Sequence, residues 1–247
     1  MKTTFKTATI IMLSFMMLFN ANSFGQKKKD PVRVLLITGG HSFDREPFDA
    51  LMKSLPGCTV TEVKHPDALA MFRPENRALY DVVLFYDMPG KISEQEKKDF
   101  TGCLNAGKGI VVLHHAYCSY QDWPEYQTII GGRYHERSWT DSKGVAQPAS
   151  TYKHDVQFRV KVVDKKHSIT KGIKDFDILD ETYGRGVVNA GVHVLLATDE
   201  PTSTPSIAWT NRYGKSKVAT ILLGHDNHAW TNPNFVKLLT QAIFWVK

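Results

Sequence analysis

Short apolar runs alternate with amphipathic helical patterns along the first half of the chain. The runs of strand length lie at 32–38, 59–63, 80–86 and 110–113, and the helical patterns lie at 45–55, 94–105 and 123–130. This alternation is typical of βαβ units, in which helical crossovers connect parallel strands. Ser93 and Glu96 form a capping box and so predict where the second helix begins.

The second half of the chain departs from this alternation. Segment 131–153 is polar and contains glycine and aromatic residues, which predicts a long loop. Further strands are predicted at 156–163, 192–197, 206–210 and 218–223, followed by a terminal amphipathic helix at 234–246. We therefore predict an α/β fold with a doubly wound, mostly parallel sheet, helices on both faces and antiparallel strands added at one edge.

The first residues have the pattern of a secretory signal peptide. Lys2 and Lys6 precede an apolar run at 8–19 that is too short to span a membrane, and small residues follow up to Gly25. We predict a signal peptide at 1–25, a basic lead-in at 26–31 and a single domain at 32–247. The mature protein is then exported to the periplasm or secreted, without a membrane span.

Charge and cysteine content exclude several classes of function. The formal net charge is +6, but much of it lies in the N-terminal lysines, and no basic stripe interleaved with aromatic residues favours nucleic-acid binding. The three cysteines, Cys58, Cys103 and Cys118, lack metal-ligand spacing and do not predict a disulfide framework.

Three of the predicted strands end on histidine. His41 follows the first strand, His114 and His115 follow the strand at 110–113, and His225 follows the strand at 218–223. Ligands of open α/β sheets bind beyond the carboxyl ends of the strands, so these imidazoles are expected to meet in one pocket. Side chains alternate along extended backbone, so only one of the two adjacent histidines is expected to face that pocket.

Other polar residues are candidates for the same pocket. Glu181, on a predicted loop, is placed to act as an acid, a base or a metal ligand, and Arg133 suits an anionic or hydroxyl-rich ligand. His225 and His228 flank a carboxylate and would approach each other in a helical turn. His135 and Glu136 are a further imidazole and carboxylate that suit a divalent metal, and no role is assigned to the histidines at 65, 154, 167 and 193.

Several catalytic signatures are missing from the sequence. It contains no G-x-S-x-G elbow, no Walker A loop and no H-E-x-x-H motif. The turn after the strand at 110–113 carries histidine where a nucleophile elbow carries serine or cysteine. Covalent nucleophilic catalysis is therefore disfavoured, and Cys118 is the one thiol near a candidate histidine.

The chain resembles the ThuA-like (trehalose utilisation) family, whose domain is similar to class I glutamine amidotransferases. The matching segments lie at 34–41, 107–116, 130–134, 167–173, 180–183, 205–209 and 222–225. The resemblance implies a flavodoxin-like fold and a role in carbohydrate metabolism. It further implies 3-keto sugars made by a partner sugar-oxidising dehydrogenase, together with a divalent metal such as Zn²⁺.

The leading hypothesis is an exported enzyme that acts on oxidised (3-keto) glycosides by acid–base elimination or hydrolysis. A 3-ketone acidifies the C2 hydrogen, which His115 or His225 would remove, while a metal stabilises the enediolate. The expected catalytic residues are His115, His225 and Glu181. The expected metal ligands are His41, His115, Glu181 and His225. The expected substrate-binding residues are His41, His114, Arg133, Tyr183 and His228.

Two alternatives use the same residues differently. A non-catalytic sugar-binding protein would present them to a hydroxyl-rich ligand without chemistry. A residual hydrolase would act through Cys118, which requires that thiol to lie beside a histidine.

Overall fold

A sheet of nine strands forms the centre of the protein. The computed structural model describes residues 30–247, so the predicted signal peptide and most of the basic lead-in lie outside the described residues. The strands are β1 (Val32–Gly39), β2 (Cys58–Lys64), β3 (Val82–Asp87), β4 (Gly109–Leu113), β5 (Gly132–Arg133), β6 (Trp139–Thr140), β7 (Ala146–Gln147), β8 (Thr151–Val162), β9 (Phe176–Gly184), β10 (Val187–Val188), β11 (His193–Ala197), β12 (Ser206–Tyr213) and β13 (Ser216–Ile221).

Helices connect these strands and cover the sheet. The α-helices are α1 (Arg45–Ser54), α2 (Glu94–Asn105), α3 (Pro124–Ile130), α4 (Asn227–Trp230) and α5 (Pro233–Val246). The 3-10 helices are Asp67–Phe72, Pro74–Leu79 and His114–Cys118. Among the described residues, no helix has both the length and the apolar character that a bilayer crossing requires.

The strand order confirms the predicted fold class. The sheet runs β2-β1-β3-β4-β13-β12-β11-β8-β9. The first five strands are parallel, and the next four pair antiparallel at one side. The architecture is thus a flavodoxin-like sheet with an antiparallel extension.

Burial explains why the apolar runs form the central strands. Every residue of β3 and β4 is buried, as expected for parallel strands covered on both faces. The capping box is confirmed, because the Ser93 side chain accepts from the Glu96 N–H and the Glu96 carboxylate accepts from the Ser93 N–H. Helix α5 packs closely on β4, since a Cβ at Gly109 would overlap the carbonyl oxygen of Val246.

The main difference from the prediction is β9, a strand in place of the expected loop. All of its residues from Asp180 to Gly184 are buried, so Glu181 is a buried strand residue and not a surface one. Strand β9 is outermost in the sheet, yet the Asp180 carboxylate accepts a hydrogen bond of 2.7 Å from the N–H of Gly224, just beyond β13. The antiparallel extension therefore curls back until its last strand meets the carboxyl edge of the parallel strands.

Candidate active site at the carboxyl edge of the sheet

His114 lies where β4 ends and the 3-10 helix His114–Cys118 begins. Its φ of 53° is in the left-handed region, which non-glycine residues rarely adopt. The backbone turns sharply here, so the side chains of His114 and His115 do not follow the alternation expected of extended backbone. Both side chains are buried, with ring centroids 5.5 Å apart and planes 81° apart.

The hydrogen bonds of His114 define its tautomer. Its Nδ1 lies 2.8 Å from the carbonyl oxygen of Leu222, which can only accept, so Nδ1 carries the hydrogen. Burial holds the pKa of His114 well below its usual range, so the ring is neutral and Nε2 carries a lone pair. That nitrogen lies 3.0 Å from the Tyr183 hydroxyl and 3.1 Å from Nδ1 of His225.

Glu181 and His225 complete a cluster with His114. The carboxylate oxygens of Glu181 lie 3.6 Å from Nε2 of His114 and 3.6 Å from Nδ1 of His225. One ligand atom from each of the three residues lies within 4.8 Å of the others. The cluster joins the end of β4, the strand β9 and the segment that follows β13.

Asp180 fixes the backbone on both sides of this cluster. Its buried carboxylate accepts hydrogen bonds from the N–H groups of Glu181 and His225 at 2.9 Å each, and from Gly224 at 2.7 Å. Burial raises the pKa of Asp180 to about 7, against the opposing effect of these three donors. One side chain thereby holds the positions of two cluster residues.

His154, to which the sequence assigned no role, contacts the same cluster. Its Nδ1 lies 2.7 Å from Oε2 of Glu181, and its ring centroid lies 4.7 Å from that of His225. The pairing of β8 with β9 shifts register between Lys153 and Val156, and Asp155 has a φ of 55°. A bulge of this kind redirects a side chain, which a regular strand pattern does not reveal.

His41 and His115 form a second pair beside the cluster. Their rings stack at a centroid distance of 4.6 Å, and the His115 ring lies 4.2 Å from that of Tyr86. Burial lowers the pKa of His115 to about 3, so its imidazole is neutral across the physiological range. His41 is exposed and is the more accessible member of this pair.

A cavity of about 400 Å³ opens over these residues, within the size range of small-molecule sites. Its lining consists of His41, Met88, His115, Cys118, Tyr134, Glu136, Tyr152, His154, Glu181 and Tyr183. Burial raises the pKa of the Cys118 thiol well above its usual range, so the thiolate required for nucleophilic attack is disfavoured.

Two of the predicted site residues lie elsewhere. His228 is the second residue of the short helix α4, is exposed, and has its Nδ1 3.2 Å from the Asp226 carboxylate. The approach of His225 and His228 was predicted for a helical turn, whereas the backbone at Asp226 is extended and α4 begins only after it, so the segment 225–228 is not such a turn. Arg133 is partly buried on a neighbouring cavity, where its guanidinium donates to the carbonyl oxygen of Gln121.

The cluster has the chemistry of a divalent metal site. Two neutral imidazoles and a carboxylate are a donor set that Zn²⁺ and related ions accept. Burial lowers the pKa of His225 as well as that of His114, which keeps both rings in the form that binds a metal. The Leu222 carbonyl that fixes the His114 tautomer is the kind of outer partner that metal-binding histidines have.

Comparison with known proteins identifies a family and a shared fold. A family model described as "ThuA: Trehalose utilisation" matches residues 33–246. No curated protein shows significant sequence similarity to the chain. A ThuA-like protein from Parabacteroides merdae superposes with a TM-score of 0.73 at 22% identity, covering 87% of this chain and 90% of the other.

Two further structures share the fold. A ThuA-like protein from Bacteroides uniformis has a TM-score of 0.66 at 18% identity, covering 89% of this chain and 93% of the other. PurLQS from Thermotoga maritima has a TM-score of 0.54 at 15% identity, covering 89% of this chain and all of the other. These identities are too low to carry more than the fold.

Proposed function

The chain belongs to the ThuA (trehalose utilisation) family, and from this premise we propose that it is an exported enzyme acting on oxidised (3-keto) glycosides. Family membership supports the carbohydrate-related role. The convergence of His114, Glu181 and His225 beside a cavity supports a catalytic one. The reaction proposed is acid–base elimination or hydrolysis at the glycosidic carbon.

We assign the metal-binding role to His114, Glu181 and His225. This set differs from the expected one in two respects: His114 replaces His115, since His114 approaches Glu181, and His41 is not a member. His41 stacks on His115 and belongs to the substrate side of the cavity. A bound divalent ion would polarise the ketone oxygen of the substrate and stabilise negative charge there.

His225 cannot be both a metal ligand through Nδ1 and the base, because a neutral imidazole then carries its hydrogen on Nε2. The general base is therefore assigned to His154. Its Nδ1–H donates to Oε2 of Glu181, which leaves Nε2 with a lone pair, and the side chain lines the cavity. His154 would take the C2 proton of the 3-keto sugar through Nε2, and the C2–H electron pair would form the C1–C2 double bond as the C1–O bond breaks. The proton held by His154 would then pass to the departing oxygen.

The proposed location and partner follow from the same hypothesis. The N-terminal residues resemble a signal peptide that ends near Gly25, so the mature protein would begin near Gln26 outside the cytoplasm. A sugar-oxidising dehydrogenase would supply the 3-keto glycoside. N-terminal sequencing of the mature protein tests the cleavage, and an intact Met1 in the exported fraction would contradict it.

The central experiment combines metal analysis with turnover. Protein purified without chelators is analysed for metals and then incubated with 3-keto-trehalose, with glucose release as the readout. We expect about one divalent ion per chain and metal-dependent release. His225→Ala and Glu181→Gln should lose both the ion and the turnover.

His228→Ala is the matched control, because it removes a histidine three residues away that lies outside the cavity. It should retain metal and turnover. A folded His225→Ala protein with unchanged metal content and turnover would refute the assignment. Binding of 3-keto-trehalose without any product would instead identify a sugar-binding protein.

A further inference from the structure

A second cavity of about 600 Å³ lies on the other side of the segment 133–136. Arg133 and His135 line the second cavity, whereas Tyr134 lines the first, as expected for alternating side chains on extended backbone. Glu136, at the end of the segment, lines both cavities. The two cavities therefore adjoin at Glu136.

An aromatic wall characterises this second cavity. The half-buried Trp139 ring stacks on His135 with a centroid distance of 4.0 Å and planes 4° apart. Burial lowers the pKa of His135 to about 4, so this stack carries no charge at neutral pH. The contact holds the indole in place where it lines the cavity, and a fixed aromatic face beside polar groups suits the apolar face of a sugar ring.

The charges around the second cavity do not favour an anionic ligand. Its lining contains two arginines, Arg133 and Arg137, and three carboxylates, Asp122, Glu136 and Asp141. No excess of positive charge is available for a phosphate or a sugar acid.

Hydroxyl groups and unpaired polar atoms complete the lining. Ser138, Thr140 and Ser142 supply hydroxyl groups at the wall. Among the described residues, the buried Nε of Arg133 and Nε2 of His135 have no hydrogen-bond partner. Buried polar atoms usually have partners, but these two have almost no accessible surface, so the hydroxyl groups are the ones that a ligand reaches. The combination fits a neutral, hydroxyl-rich ligand.

We propose that the second cavity is a subsite for the non-reacting sugar of a neutral glycoside, with that ring packed on Trp139. The pairing of this subsite with a reacting ring in the first cavity rests on the proposed function. Ligand binding at Trp139 does not, because it requires neither a metal nor turnover. The site therefore favours ligands of two or more sugar rings over monosaccharides.

The test is calorimetric titration of chelator-treated full-length mature protein with trehalose, maltose and cellobiose, each compared with glucose. We expect at least one disaccharide to bind about tenfold more tightly than glucose, the order that a central aromatic anchor contributes. Trp139→Ala should reduce this ratio to about one. Tyr152→Ala, which changes an aromatic of the first cavity, should weaken both classes of sugar and preserve the ratio.

Fluorine NMR of 5-fluorotryptophan-labelled protein keeps the proposal testable if Trp139→Ala does not fold. Trp139→Phe identifies the Trp139 resonance among the five tryptophans. The disaccharide that binds more tightly should shift this resonance. It should not shift that of Trp245, which lies on α5 and packs against His167. Equal affinity for glucose and all three disaccharides, a preserved ratio in folded Trp139→Ala, or an unchanged Trp139 resonance would overturn the proposal. None of these readouts depends on whether the protein catalyses a reaction.

Discussion

The carboxylate of Asp180 accepts a hydrogen bond of 2.9 Å from the backbone N–H of His225, 45 residues further along the chain. The same oxygen accepts from the N–H of Glu181, the neighbouring residue in β9. Two of the three cluster side chains are thus positioned through one buried carboxylate. Asp180 is a positioning residue that touches neither substrate nor metal in the proposed mechanism.

Asp180→Asn should destabilise the fold and loosen the cluster. The amide retains one accepting oxygen, but its NH₂ group would face a backbone N–H and leave that donor unpaired. The expected loss is about 1–3 kcal/mol in the free energy of unfolding, measured by urea denaturation. Metal content should fall in the protein that remains folded.

Asp177→Asn is the control in the same strand. Asp177 is exposed and pairs with Arg159 at the surface, where ion pairs contribute little. Its substitution should leave both the urea midpoint and the metal content close to those of the wild type. Equal effects of the two substitutions would show that Asp180 has no special positioning role.

His154→Gln should separate catalysis from metal binding. The amide can still hydrogen-bond to Glu181 but cannot accept the C2 proton, so kcat for 3-keto-trehalose should fall about 10²-fold or more. Metal content, measured by elemental analysis, should not change. Loss of the metal together with activity would place His154 among the ligands, and unchanged kcat would exclude it as the base.

The acid limb of the stability profile should depend on Asp81. The side chain and the backbone N–H of Arg33 donate to its carboxylate at 2.8 and 2.9 Å, and the Arg33 hydrogen bond lowers the pKa of Asp81 to about 2. A carboxyl group whose pKa is lower in the folded state stabilises the fold at pH values above about 4, the pKa of Asp in the unfolded chain. This stabilisation is lost as the pH falls towards 2, the pKa in the folded state.

The Tm difference between wild type and Asp81→Asn, measured by thermal melts from pH 5 to pH 2, should therefore shrink in acid. In an Arg33→Gln background, Asp81→Asn should produce a smaller Tm difference that depends less on pH. A difference that stays constant between pH 5 and pH 2 would contradict the assigned pair.

The central strands were predictable because their physical cause is local. Strands β1, β3 and β4 are largely buried, and a run of hydrophobic residues as long as a strand is enough to predict each of them. The capping box, a motif of four consecutive residues from Ser93 to Glu96, specifies where α2 begins. The convergence of His114 and His225 followed from the rule that parallel strands end at one edge.

The parts that were missed depend on contacts between distant segments. Strand β9 carries Asp180 and Glu181 in its buried portion, so its sequence resembles a polar loop until Gly224 and His225 are in place to hydrogen-bond it. The orientation of His154 depends on a bulge whose residues carry no distinctive pattern. The left-handed backbone of His114 likewise follows from the sharp turn and not from its residue type.

The hydrogen bond between Asp180 and Gly224 also bears on how the protein would lose its proposed activity. It joins the outermost strand of the antiparallel extension to the end of a central strand, whereas β8 and β9 are otherwise a hairpin at the periphery of the sheet. Peripheral hairpins open at lower free energy than buried cores, as amide exchange shows in proteins generally. Detachment of this hairpin would carry Glu181 and His154 away while the parallel strands stay folded. Inactivation would then precede global unfolding. An ion bound by His114, Glu181 and His225 would connect the hairpin to the parallel strands and so delay both events.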